Sequence, residues 1–320
     1  MKAIPRISIA HLPTPVESMP NLSEALGKTK FLIKRDDQTG LALGGNKTRK
    51  LEFLMAGAVE SGAKTLLTAG AIQSNHCRQT AAAAARCGME CILILTGDPT
   101  EPSGNLLLDH LFNAKIVWAT RETRDQILQQ KYEEAQSAGK KPYLIPYGGS
   151  NRIGATAYAF ALQEMLGQSV SPDWIVFPSS SGGTQAGLVL GARLLGYKGK
   201  ILGISVDEVA ANLQAHVAEL ASQASELLGE KLSFSSRDVL VNDDYLGGGY
   251  GVMGDVEKEA VRLFAAKEGI LVDPVYSGRA AAGMIGLLRQ GFFKEGETVL
   301  FWHTGGTPAL FAERYRNIID

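Results

Sequence analysis

A lysine at the start of a predicted helix is the side chain with the clearest chemical potential. A helical pattern begins after the glycine pair at positions 44 and 45, where Asn46 is a plausible N-cap. Lys47 lies four residues before Leu51 and shares its apolar stripe, whereas Arg49 and Glu52 fall away from that stripe. Burial favours the neutral amine, which is the form that condenses with an aldehyde to give a Schiff base. An amine that reaches solvent from the first turn is the alternative, and the stripe alone does not decide between them.

A loop rich in serine and glycine follows an apolar segment at residues 174–177 and precedes another helical pattern. Glycines allow close backbone approach to an anion, and the N–H groups at a helix N-terminus donate to it. A plain strand-to-helix turn is the alternative. The candidate phosphate-binding segment is residues 178–187. An inward lysine and a phosphate site together suggest pyridoxal 5′-phosphate, which needs both an amine and an anchor for its phosphate.

Four further polar segments, at residues 73–76, 247–251, 272–278 and 303–308, could hold a substrate. Each has a structural explanation, such as N-capping by a serine or threonine. A short strand is predicted before Asp273. We expect all four segments to follow strands, and the carboxyl ends of strands in open α/β sheets are where ligands bind.

Short apolar runs alternate with helix-length segments, which predicts an α/β fold with parallel strands. The predicted strands are residues 31–34, 65–68, 91–96, 115–118, 143–145, 174–177, 201–206 and 298–302. The predicted helices are residues 47–61, 75–87, 121–138, 153–166, 184–195, 208–228, 253–268 and 279–290.

Composition narrows the class of protein. The 320 residues carry 32 basic and 33 acidic side chains, so the net charge of −1 gives no basic footprint for nucleic acid. No uncharged stretch is apolar enough to suggest a membrane span. Three cysteines, without a metal-ligand or paired spacing, are typical of a reducing compartment and predict a cytoplasmic protein without a bound metal.

Five motifs resemble the D-cysteine desulfhydrase and 1-aminocyclopropane-1-carboxylate (ACC) deaminase family, namely residues 44–52, 73–76, 182–187, 273–278 and 303–306. The resemblance implies the tryptophan-synthase-β type of fold (fold type II), with two domains of open twisted sheets flanked by helices. Residues 1–50 and 158–320 would form a larger domain, residues 51–157 a smaller inserted one, and the cofactor would lie in the cleft between them. Relatives also suggest a homodimer. The other expected partner is a small amino-acid substrate.

The same resemblance assigns roles to individual residues. Pyridoxal phosphate would form a Schiff base with Lys47, and the cofactor site would comprise Lys47, Lys50, Asn75, Ser180, Ser181, Gly182, Gly183, Thr184, Ser277 and Thr304. Asn75 would contact the ring hydroxyl and Lys50 would assist the phosphate. The catalytic residues would be Lys47, Ser74, Tyr250 and Tyr276. The substrate-binding residues would be Gln73, Ser74, Asn75, His76, Tyr250 and Tyr276.

Two positions divide the family. ACC deaminases carry glutamate and leucine where this chain has Ser277 and Thr304. A carboxylate beside the pyridine nitrogen keeps the ring a strong electron sink, which cyclopropane opening needs, whereas expulsion of a sulfur group tolerates a weaker sink. The sequence therefore predicts β-elimination from D-cysteine, giving pyruvate, ammonia and hydrogen sulfide. L-cysteate sulfo-lyase, with His76 and Arg279 as candidate sulfonate-binding residues, ACC deaminase and a non-catalytic cofactor-binding protein remain alternatives.

Overall fold

The structure, a computed structural model, describes residues 1–27 and 29–319. Within these residues, ten strands form two separate sheets. The strands are β1 (Val16–Ser18), β2 (Lys30–Arg35), β3 (Thr65–Ala71), β4 (Glu90–Thr96), β5 (Lys115–Ala119), β6 (Pro142–Leu144), β7 (Trp174–Ser179), β8 (Lys200–Ser205), β9 (Leu240–Asn242) and β10 (Thr298–His303).

Helices connect most of these strands. They are α1 (Pro20–Ala25), α2 (Asn46–Glu60), α3 (Asn75–Arg86), α4 (Gly104–Leu111), α5 (Arg124–Ser137), α6 (Arg152–Gly167), α7 (Gly183–Leu195), α8 (Ala210–Leu227), α9 (Asp255–Glu268) and α10 (Ser277–Arg289).

One sheet has six strands in the order β1-β2-β10-β7-β8-β9, and only β1 runs antiparallel to its neighbour. The other has four parallel strands in the order β5-β4-β3-β6. All strands of the smaller sheet fall within residues 65–144, and the larger sheet is built from segments on both sides of it in the sequence. The predicted domain boundaries at residues 50 and 157 remain predictions.

Both faces of the six-stranded sheet are covered, which explains its nearly continuous apolar strands. Along β10, Val299 and Phe301 pack with Phe264 of α9, whereas Leu300 and Trp302 pack on the opposite face. A sheet covered by helices on both faces is the α/β architecture that the sequence predicts, and this prediction is confirmed.

Helix α2 is buried on more than its apolar face. Leu51 and Leu54 pack into the core of the four-stranded sheet, while Phe53 joins a core of the six-stranded one. Arg49 and Glu52 were expected to fall away from the buried face, but both are buried. The reason is pairing: Arg49 bonds to Asp36 and Glu164, and Glu52 accepts backbone N–H groups of residues 9 and 10.

All eight predicted strands and all eight predicted helices are present, with ends shifted by at most three residues. The sequence did not reveal β1, β9, α1 or α4, which have only three to eight residues each. The short strand predicted before Asp273 is wrong, because residues 270–276 contain no strand. No described helix combines the length and hydropathy needed to cross a membrane.

Candidate active site

A cavity opens where the carboxyl ends of strands from both sheets meet the start of α2. The segments after β3, β6, β7 and β10 all contribute to its wall. The lining residues are Asn46, Lys47, Ser74, Asn75, His76, Tyr147, Gly148, Pro178, Ser179, Ser180, Ser181, Gly182, Thr184, Tyr276 and Thr304. The structure thus brings together polar segments that are more than 250 residues apart in the sequence.

The turn that presents Lys47 requires glycine. The Gly45 backbone has φ of +128°, and a Cβ there would lie 2.4 Å from the Gln79 side chain. The Asn46 N–H donates to the carbonyl of Thr304, which ties this turn to the end of β10. Asn46 is the first residue of the helix rather than its N-cap, and its Nδ2 donates to Thr184 Oγ1 at 3.1 Å.

Lys47 is half-buried and lines the cavity, one helical turn from the fully buried Lys50. Burial lowers the pKa of Lys47 to about 8, against the opposing effects of a hydrogen bond with Lys50 and the charge of Asp207. Burial, followed by the nearby charge of Lys47, lowers the pKa of Lys50 well below its ordinary value. At neutral pH a substantial fraction of Lys47 is therefore the neutral, nucleophilic amine.

Several donors converge on one oxygen beside the loop after β7. Ser150 Oγ receives Lys50 Nζ at 3.1 Å and the Gly183 N–H at 3.2 Å, and it lies 2.8 Å from Ser181 Oγ. A Cβ at Gly183 would approach Ser150 Oγ to 2.6 Å, so only glycine leaves this space free. A lysine amine and neutral donors around one oxygen, at the N-terminus of α7, suit a phosphate oxygen.

The start of α3 forms the opposite wall. Ser74 is the N-cap, its Oγ accepting the N–H of Cys77 at 3.1 Å. Asn75 Oδ1 accepts from Arg78 Nη1 at 2.8 Å and from Asn105 Nδ2 at 3.0 Å. These two bonds use the amide oxygen of Asn75 and leave its NH₂ group to donate into the cavity. Such a donor suits a ring oxygen.

His76 and Gln73 differ in their relation to the cavity. His76 lines it, with Nε2 2.9 Å from Thr68 Oγ1, and burial lowers the pKa of its imidazole well below the ordinary value, so the ring is neutral. Gln73 does not line the cavity. Its amide donates to Ser103 O and accepts the N–H of Asn105, so Gln73 links the start of α3 to α4, away from the cavity lining.

Two tyrosines form a pair at one side of the cavity. The hydroxyl oxygens of Tyr250 and Tyr276 are 2.6 Å apart, and Tyr276 lines the cavity directly. Burial raises the pKa of both phenols, so both keep their protons at neutral pH. The carboxylate of Asp273 accepts the backbone N–H groups of residues 275, 276 and 277, which places Tyr276 at the start of α10.

The two residues that divide the family occupy different places. Thr304 lines the cavity, whereas Ser277 is buried behind it. Ser277 Oγ lies 2.6 Å from Asp273 Oδ1 and 3.1 Å from the carbonyl oxygen of Gly305. Among the lining residues of the described chain there is no aspartate or glutamate, so no carboxylate faces the cavity at these positions.

Four polar residues near the cavity escaped the sequence analysis. Tyr147 lines the cavity, and Ser150 lies in the phosphate cradle. Arg78 anchors Asn75, and Asp207 lies just beyond the end of β8. Tyr147 and Ser150 follow β6 in a glycine-containing turn, a signal that the other polar segments share. No signal of that kind marks Arg78, which lies inside a helix.

These residues fit pyridoxal phosphate. A nucleophilic amine, a donor-lined anion cradle and an amide donor for a ring oxygen surround one cavity, and they suit the aldehyde, the phosphate and the ring hydroxyl of this cofactor. Lys47, the loop at residues 180–184 with Lys50, and Asn75 are the residues that would hold it.

Comparison with known proteins agrees with this fit. Residues 7–305 match the family described as pyridoxal-phosphate dependent enzymes. A crystal structure of an ACC deaminase homologue has 36% sequence identity and a TM-score of 0.91, and the match covers 99% of this chain and 96% of that one.

More distant structures share the fold. A fungal L-serine ammonia-lyase from Rhizomucor miehei has a TM-score of 0.71 at 17% identity, covering 97% of this chain and 98% of that chain. A hydrogen sulfide-producing enzyme from Fusobacterium nucleatum has a TM-score of 0.63 at 14% identity, with coverage of 92% and 96%. With the family matching nearly end to end, this chain belongs to the pyridoxal-phosphate dependent enzymes.

Proposed function

We propose that the protein is a carbon–sulfur lyase that acts on a small amino acid with a neutral sulfur group, preferentially D-cysteine. The products would be pyruvate, ammonia and hydrogen sulfide. The observation that carries the proposal is that no described residue lining the cavity is a carboxylate, with Thr304 and the buried Ser277 at the two positions that divide the family. A weaker electron sink suffices when the leaving group is a sulfur atom.

The charge of the cavity argues against L-cysteate as the preferred substrate. A sulfonate needs a cation beyond the carboxylate site. His76 is neutral, and Arg279 already donates to Glu257 and to the carbonyls of Val206 and Val252. Neither residue offers a free cation to a sulfonate, so a neutral thiol suits this site better.

ACC deamination is the second candidate, because the homologue at 36% identity bears that name. Opening a cyclopropane ring expels carbon rather than sulfur, and it gains most from a carboxylate beside the pyridine nitrogen. Ser277, bonded to Asp273, does not supply one.

The roles of the chain's own residues follow from their positions and protonation. Bound pyridoxal phosphate supplies an electron sink that stabilises negative charge at the substrate Cα. The N–H groups of Asn75 and His76, the first two residues of α3, have no intrahelical acceptor, and they would bind the substrate carboxylate beside Ser74. Neutral Lys47 Nζ would accept the Cα proton, because both tyrosines are protonated and are therefore weaker bases. The Tyr276 hydroxyl would donate its proton to the departing sulfur.

A substrate panel tests the proposal. D-cysteine, L-cysteine, L-cysteate, D-serine and ACC are supplied in turn to the cofactor-loaded protein, and pyruvate, α-ketobutyrate, sulfide and sulfite are measured. We expect kcat/KM for D-cysteine to exceed that for every other compound by at least about tenfold. Highest activity on ACC or on cysteate would overturn the proposal. Lys47→Ala should abolish turnover, and Lys47→Arg is the matched control that retains a cation without the reactive amine.

A second test concerns the two dividing positions. The double change Ser277→Glu with Thr304→Leu should lower kcat for D-cysteine. Each single variant serves as a control. If neither desulfhydration nor α-ketobutyrate formation from ACC changed in the double variant, these positions would not set the reaction.

The lysine assignment also predicts a pH dependence. With a pKa of about 8, the neutral fraction of Lys47 rises about tenfold per unit as pH approaches 8 from below. The rate of pyridoxal phosphate capture by the cofactor-free protein should therefore rise from pH 6 to pH 8 and then level off. An ordinary lysine would continue the rise beyond pH 10, and that result would contradict the assignment.

A further inference from the structure

Asp207 lies at the boundary of the active-site cavity, just beyond the carboxyl end of β8. It lines an adjoining cavity together with Tyr147, Ser180 and Ser181. The latter three residues also line the active-site cavity, so they form the wall that the two cavities share. Asp207 therefore stands one layer of side chains from the space in which a substrate would be bound.

The carboxylate is held in place but is only partly satisfied. Ser180 Oγ donates to Oδ2 at 3.0 Å, whereas Oδ1 is buried without a hydrogen-bond partner among the described residues. Its neighbour Glu208 lines the same adjoining cavity but is exposed to solvent. Asp207 is thus the carboxylate whose charge is least screened by water at this edge of the site.

The groups that face Asp207 do not cancel its charge. Its electrostatic neighbours are Glu208, Arg279 and Lys47. Arg279 already bonds to Glu257 at 2.9 Å. The pKa of Lys47 is about 8, so only part of the Lys47 population is positively charged near that pH. The charge of Asp207 also raises the pKa of Tyr147, Tyr250 and Tyr276, behind the main effect of burial in each case. Its field therefore reaches the residues around the cavity.

We propose that Asp207 is a specificity-determining residue that disfavours amino acids with an anionic group on the β-carbon, such as cysteate, relative to those with a neutral group. The inference rests on the proposed function and deepens it, since it gives a physical reason for a neutral sulfur group. A fixed carboxylate near a bound sulfonate costs binding free energy through like-charge repulsion, whereas a hydroxyl or thiol is unaffected.

Equilibrium binding tests this inference apart from turnover. The dissociation constants of L-cysteate, D-cysteate and D-serine are measured from the change in cofactor absorbance on binding, in the wild-type protein and in Asp207→Asn. We expect Asp207→Asn to tighten both cysteates about tenfold relative to D-serine. The matched control, Glu208→Gln, removes an exposed carboxylate from the next residue and should leave the ratio within about twofold. An unchanged ratio in Asp207→Asn, or an equal change in Glu208→Gln, would overturn the inference.

A measurement on the wild-type protein covers the case in which Asp207→Asn does not fold. Raising the ionic strength from about 20 mM to about 500 mM shortens the screening length and should tighten cysteate relative to D-serine. No change, or a change in the opposite sense, would overturn the inference. Failure of the proposed function would look different, because a protein that released no sulfide from D-cysteine would still show the charge-dependent binding ratio.

Discussion

Two fully buried arginines flank the cavity, Arg279 near the tyrosine pair and Arg78 behind the start of α3, and the protein holds them differently. Arg279 bonds to the carboxylate of Glu257 at 2.9 Å. Its remaining nitrogens donate to three backbone carbonyls, including that of Gly249 in the loop that carries Tyr250. On this side of the cavity the protein itself supplies the counter-charge, and each guanidinium nitrogen of Arg279 has an acceptor.

Arg78 lacks such a partner. It donates to Asn75, Asn105 and the carbonyl of Gly44, and its Nε has no acceptor among the described residues. The carboxylate of Asp109, whose charge acts on Arg78, has no hydrogen-bond partner among the described residues either. Burial lowers the pKa of Arg78 to about 10 and raises that of Asp109 well above its ordinary value. The comparison teaches that one buried arginine is held by a carboxylate of the protein, whereas the other is held by neutral oxygen acceptors alone.

The largest effect on stability should come from breaking the buried ion pair between Arg279 and Glu257. Glu257→Gln leaves the buried cation of Arg279 unpaired, so we expect the free energy of unfolding to fall by about 3–5 kcal/mol. Urea denaturation measures this change. Glu259→Gln, which removes an exposed ion pair with Arg289 from the same helix, should cost less than about 1 kcal/mol. Similar losses of stability in the two variants would show that the buried Arg279–Glu257 pair contributes no more than the exposed Arg289–Glu259 pair.

An intermediate effect should come from the other arginine. Arg78→Gln removes charge-assisted hydrogen bonds to Asn75 and to the turn before Lys47, which should cost about 1.5–3 kcal/mol of stability. Because Asn75 would lose its orientation, pyridoxal phosphate should also dissociate about tenfold more readily. Thermal unfolding and equilibrium dialysis give the two quantities. Arg78→Lys is the conservative control, and retained cofactor affinity in Arg78→Gln would contradict a positioning role.

The smallest effect on stability, measured at pH 4, should come from replacing Asp109. The pKa of its carboxyl is raised in the folded state, so the folded protein binds this proton more tightly than the unfolded chain does. Stability from this group is therefore present at low pH and is lost as pH rises through the unfolded value of about 4 toward the folded one. Asp109→Asn should change stability by less than about 1 kcal/mol at pH 4, with the variant gaining on the wild type at higher pH. A loss of stability of Asp109→Asn relative to the wild type as pH rises would contradict the assignment.

Sequence patterns were sufficient for eight of the ten described strands and for placing Lys47 at the start of a helix after a glycine turn, because hydrophobic periodicity and glycine turns are local signals. They could not show that Arg49 is buried, since its partner Glu164 lies 115 residues away. Nor could they show that Gln73 turns toward α4, or that Asp207 borders the cavity. These features depend on which elements become neighbours, and a single sequence does not state that.

The contacts of Asp273 have a consequence for how the site can change over time. Its carboxylate already accepts three backbone N–H groups and the hydroxyl of Ser277, which sits at the first turn of α10. A longer acid at position 277 must give up the last of these bonds before it can reach the cavity. The start of α10 would thus lose a hydrogen bond before a carboxylate reached the cavity. Evolution from serine to a longer acid at position 277 would therefore pass through a less stable protein.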